Sequence, residues 1–106
     1  MKGTNIGEFE ELVLLVVGAL GRNAYGAAIK NEIISLTDRL PSTGALHTAL
    51  HRLMNKGFII TNEGYAAKDR GRPKIYYSLS PLGKTTLAKA RNLRNELFDR
   101  IPNLIN

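Results

Sequence analysis

The run LVLLVVGAL, residues 12–20, constrains this chain more than any other stretch. It is far shorter than the roughly 20 apolar residues needed to span a bilayer. The residues before it, GEFEE, are acidic where a secretory leader is basic. The chain is therefore expected to be untargeted and cytoplasmic, and the run must be buried by protein. Glu8, Glu10 and Glu11 suit the positive end of a helix dipole, which predicts a helix over Gly7–Leu20. Consecutive apolar residues from Leu12 to Val17 cover every side of that helix. Either it is central and fully surrounded, or one side, carrying Leu12 and Val16, meets a second chain.

The remaining elements follow from periodicity and punctuation. GRN at 21–23 breaks the first helix, and a second begins near Ala24, with Tyr25, Ile29, Ile33 and Leu36 forming its apolar stripe. Pro41 pushes Leu40 out of the helical region, and Ser42 or Thr43 can cap a third helix. That helix, STGALHTALHRLMNKG, turns Leu46, Leu50, Leu53 and Met54 inward and stops at Gly57. Its other face is small and polar: Gly44, His47, Thr48, His51 and Asn55. GFIIT and KIYYSLS read as two strands flanking the polar stretch 62–72, with Ile75, Tyr77 and Leu79 alternating against Tyr76 and Ser78. A long helix then runs from Ser80, its cap, through Pro81 to Ile101, with Leu87, Ala90, Leu93, Leu97 and Ile101 along one side. At about 20 residues it would be roughly 30 Å long, more than the preceding body easily covers.

Charge is distributed unevenly. Residues 42–94 hold ten basic and two acidic side chains, whereas residues 1–41 and 95–106 each carry a net charge of −1. A basic block that coincides with the third helix and the strand pair is the footprint of a nucleic-acid surface. With no cysteine there is no disulfide, thiolate metal site or cysteine nucleophile. His47 and His51 have the i, i+4 spacing of some zinc sites, but TAL between them supplies no carboxylate and no third ligand is evident. No metal or cofactor is expected. Neither a phosphate-binding glycine loop, a nucleophile elbow nor a carboxylate pair is present, so an enzyme is not expected.

Three helices followed by a β-hairpin is the order of the winged helix-turn-helix, in which the third helix occupies the major groove and the hairpin is the wing. The predicted class is mainly α with a two-stranded hairpin (α+β), a winged domain over residues 1–79 and a C-terminal dimerisation helix over 80–106. The free N–H groups at the start of the third helix, beside Ser42 and Thr43, suit a phosphate. A winged-helix module that docks on an acidic protein instead of DNA is the alternative.

GEFEELVLLVVGALG, AYGAAIKNEI, STGALHTALHRLMNKGFI and GRPKIYYSLSPLG, in this order, resemble the PadR family of bacterial transcriptional regulators. The resemblance implies a homodimer built through the C-terminal helix with help from the first, which bears on Leu12, Val16, Leu87, Ala90, Leu93, Leu97, Phe98 and Ile101. It also implies binding to double-stranded DNA at a pseudo-palindromic operator, usually as a repressor. Ser42, Thr43, Gly44, His47 and Thr48 would face DNA, with His51 on the same face and Arg70, Arg72 and Lys74 on the wing. The family commonly has Tyr where this chain has His47, so a tyrosine contact does not carry over. Many relatives have a longer C-terminal domain; with a single C-terminal helix in this sequence, a short form without an elaborate sensor domain is expected. Some short members bind flat hydrophobic compounds at the dimer interface through an aromatic residue. This chain has no tryptophan; Phe98 could substitute, although a core or interface phenylalanine is the preferred reading.

Overall fold

The computed structural model describes residues 6–64 and 74–104. Its elements are α1 (Glu8–Leu20), a 3-10 turn at Gly21–Asn23, α2 (Gly26–Leu36), α3 (Thr43–Asn55), strands β1 (Ile59–Gly64) and β2 (Lys74–Leu79), and α4 (Pro81–Arg100). The strands pair antiparallel, with Ile59 opposite Leu79 and Gly64 opposite Lys74. The link between α1 and α2 joins them as a third, minimal strand: Tyr25 bridges Tyr76, and the Tyr77 amide donates to the Ala24 carbonyl at 2.8 Å.

α1 is the centre of the body. Val13, Leu14, Val16 and Val17 are buried against Ile29 and Ile33 of α2, Leu46, Leu50 and Leu53 of α3, Phe58 just before β1, and Ile59 and Tyr77 of the strands. Each large aliphatic side chain so buried is worth about 1.5–3 kcal/mol relative to exposure. Val16, read from the sequence as a residue for a second chain, is 3% exposed and belongs to this core, while Leu12 packs partly against it. The outward apolar residue of α1 is Leu15, at 47% exposure. A helix contacted from three directions can bury adjacent positions that would lie on different faces of a surface helix.

Three further expectations are corrected. Leu36 does not complete the inward stripe of α2; it is 65% exposed, because the helix ends there and Thr37 is already extended. Ile75 shares a strand face with Tyr77 but is 52% exposed, because it lies towards the far end of the strand pair from Ile59 and Leu79, where the core is. α4 also stops one residue early. Ile101, before Pro102, is extended (ψ 119°), the conformation that a following proline imposes. Only Gly83 and Thr86 of α4 are buried, and its second half projects from the body.

Candidate nucleic-acid interface

α3 is fixed at both ends by its own sequence. Ser42 is the N-cap, and its Oγ accepts from the Ala45 amide at 3.0 Å. At the other end Gly57 takes φ +82°; its amide donates to the Met54 carbonyl (2.9 Å) and the Phe58 amide to Leu53 (3.0 Å), a Schellman closure. Leu46, Ala49, Leu50 and Leu53 are buried. This leaves Thr43, Gly44, His47, Thr48 and His51 exposed on the helix, as the sequence pattern required, with Ser42 exposed just before it. A side chain at Gly44 would meet nothing nearer than Ser42 Oγ at 4.0 Å, so the fold itself makes no demand for glycine there. Thr43 Oγ1 accepts from Lys30 Nζ at 3.3 Å, which brings an α2 cation to the start of α3.

A 440 Å³ groove runs beside this face, lined by His47, Thr48, His51, Arg52, Met54 and Tyr77. Burial pushes the Tyr77 hydroxyl pKa up, so that side chain stays neutral. Lys74, read from the sequence as a wing cation, opens β2 at the loop end of the strand pair, opposite Gly64, with Nζ 4.2 Å from the centroid of the Tyr25 ring. Tyr25 in turn meets Tyr76 edge-on at 5.5 Å. This cation–π contact, worth about 0.5–1 kcal/mol at an exposed site, ties the α1–α2 link to β2. Arg70 and Arg72 lie outside the described residues.

α3 is tied to α1 by an ion cluster that the sequence pattern does not announce. Glu10 is 8% exposed and receives Lys56 Nζ at 2.9 Å and Arg52 Nη1 at 3.5 Å. Burial pushes the carboxyl pKa up, but Lys56, Arg52 and the Gly7 backbone outweigh it and hold the pKa below its ordinary value. Glu10 stands at N3 and Gly7 at the N-cap, so this is also half of a capping box. The neighbouring glutamates act similarly: Glu8 pairs with Arg39, and Glu11 with Arg94 of α4 at 2.6 Å. No spacing rule links residues 46 positions apart, so these pairs had no sequence signal.

The proposed dimer residues divide by depth. Leu87, Ala90 and Leu93 are half-buried on α4, whereas Leu97, Phe98 and Ile101 are about half exposed. Two grooves flank the α1–α4 junction. One of 440 Å³ is lined by Leu15, Leu79, Leu87, Arg91 and Phe98 among others, and one of 260 Å³ by Ile6, Leu87, Ala90, Leu93 and Leu97 among others. Among the described residues no group of three or more His, Cys, Asp or Glu could hold a metal. No described helix is long and apolar enough to cross a membrane.

A helical body with an antiparallel strand pair and an exposed, polar third helix defines a winged helix-turn-helix protein. The chain belongs to the PadR-like family of transcriptional regulators, whose model matches residues 13–89. Its fold is similar to that of a PadR family transcription regulator from Clostridium difficile (19% identity, TM-score 0.73), over 88% of this chain and 93% of that one. A PadR-like transcription factor from Bacteroides fragilis is similar at 22% identity and TM-score 0.73, over 86% and 84%. The hsRosR-S1 complex structure gives 22% identity and TM-score 0.73, over 92% and 80%. A search of curated protein sequences finds no match.

Proposed function

We propose that the chain binds double-stranded DNA sequence-specifically as a homodimer and represses transcription from a pseudo-palindromic operator. The observation that carries this reading is the solvent face of α3: Gly44, His47, Thr48 and His51 are exposed together, free of bulky apolar side chains, on a helix whose opposite face is locked into the core. A helix so presented can enter a major groove closely enough for polar side chains to reach base edges. Ser42, Thr43 and the first N–H groups of α3 suit a backbone phosphate, and Arg70, Arg72 and Lys74 supply wing charge. Residues 1–79 form the DNA-binding unit and residues 80–106 the dimerisation element. Leu97, Phe98 and Ile101 are exposed apolar residues on the projecting half of α4 and its end, which supports their burial against a second copy. The groove bounded by Leu15, Leu87 and Phe98 supports a site for a small hydrophobic effector at that interface.

Selection of bound duplexes from a random-sequence library tests the reading. Two inverted half-sites, centred about one helical turn of DNA apart, are expected in the enriched sequences. Enrichment of no motif refutes it.

A further inference from the structure

α3 and α4 meet end to end. Ser80, the N-cap of α4, donates its hydroxyl to the Gly57 carbonyl at 2.6 Å and its amide to the Phe58 carbonyl at 3.0 Å, while its Oγ accepts from the Gly83 amide at 2.9 Å. Gly57 and Phe58 are the two residues that close the Schellman motif at the end of α3. One residue of α4 is thus bonded to both residues that terminate the helix presented to DNA. Gly83 allows the approach: a Cβ there would lie 2.1 Å from the Phe58 carbonyl oxygen. Beyond this joint Thr86 is buried, Leu87 packs against the core and Arg94 reaches Glu11 at 2.6 Å, but from residue 95 onward every residue of α4 is exposed.

We propose that this Ser80–Gly57/Phe58 joint sets the separation of the two α3 helices in the dimer, which makes Ser80 a positioning residue for operator spacing. The inference rests on the dimeric DNA-binding reading above. Leu97 and Phe98 lie about 25 Å along α4 from Ser80, at 1.5 Å per residue. A tilt of about 8° at the joint displaces them by about 3.5 Å, close to one base-pair step of about 3.4 Å. An angular error of that size at the joint is therefore enough to shift the preferred spacing of half-sites by a base pair. The half-site contacts themselves, carried by the exposed face of α3, do not involve Ser80.

The test uses Ser80→Ala, Ser80→Thr as the conservative variant, and Ser80→Gly, since glycine is nearly as good an N-cap as serine and keeps the experiment open if the alanine variant melts. Duplexes enriched from the random library by the native protein are rebuilt with one base pair inserted or removed between half-sites. The native chain and Ser80→Thr are expected to lose about tenfold or more in affinity for the altered spacings, and Ser80→Ala or Ser80→Gly less than about threefold, with affinity for a single half-site unchanged. Because the chain has no cysteine, Ala45→Cys with Asp99→Cys gives a defined spin-label pair, diluted with unlabelled chain. Its distance distribution should be narrow in the native background and broad in Ser80→Ala. A native spacing preference retained in both the alanine and glycine variants overturns the proposal alone. Absence of any spacing preference in the native protein overturns the dimeric operator reading and the proposal with it.

Discussion

Replacing Gly83 by alanine should destabilise the fold, although alanine is ordinarily the better helix former by about 1 kcal/mol. The added Cβ would sit 2.1 Å from the Phe58 carbonyl oxygen, about 1 Å closer than such contacts allow. That carbonyl cannot simply rotate away, because it accepts from the Ser80 amide at 3.0 Å. The start of α4 must lift instead, stretching this bond and the 2.6 Å Ser80–Gly57 bond beside it. Two weakened hydrogen bonds cost about 1 kcal/mol each and overpacking about 1–3 kcal/mol. After the propensity gain, the net loss is about 2–4 kcal/mol. In a domain of this size that corresponds to a fall in Tm of roughly 10–20 °C, readable by circular dichroism melting. A variant melting within about 3 °C of the native protein would refute the reasoning about the joint.

Gly44→Ala should behave in the opposite manner: with open space at the Cβ position, it leaves Tm unchanged or slightly raised, yet weakens DNA binding by crowding the groove; unchanged affinity in an anisotropy titration would count against α3 as the docking helix. Glu10→Gln should lower stability at neutral pH by about 1–2 kcal/mol, because Lys56 and Arg52 lose their charged partner. Since the folded-state pKa of Glu10 is depressed, its contribution is present above the ordinary carboxylate range and is lost as pH falls through the lowered value. Melts of the native and variant proteins should thus converge in acid and separate towards neutrality; a constant difference across that range would contradict the assignment. Leu97→Glu combined with Phe98→Glu should halve the mass measured by light scattering without altering the circular dichroism spectrum, because both side chains are about half exposed on the protomer.

The sequence disclosed the element order because its punctuation is local. Ser42, Gly57, Ser80 and Pro81 each mark a helix end through their own backbone chemistry, and the structure uses each of them at that end. The polar face of α3 was legible for the same reason, since helical spacing alone separates Leu46, Leu50 and Leu53 from His47, Thr48 and His51. What depended on distant parts of the chain was not legible. The placement of Val16 in the core rather than at an interface required knowing that α2, α3 and the strands surround α1. The Glu10–Lys56 and Glu11–Arg94 pairs join residues whose proximity only the fold creates, and the glutamates had a sufficient local explanation in the helix dipole. Gly83 carried a weak signal: glycine in the first turn of a long helix is entropically unfavourable, and close backbone approach is a common reason for it.

Whether α3 and the wing together form a DNA-binding surface is decided by the salt dependence of binding. Fluorescence anisotropy titrations of a selected duplex between 50 and 200 mM salt should give a log–log slope of about −4 or steeper, at about −0.9 per phosphate neutralised. Replacing Arg70 and Arg72 by alanine removes four arginines from a homodimer and should make that slope shallower by about two to four units. A flat response to salt, or a slope unchanged in the double variant, would show that α3 and the wing do not form that surface.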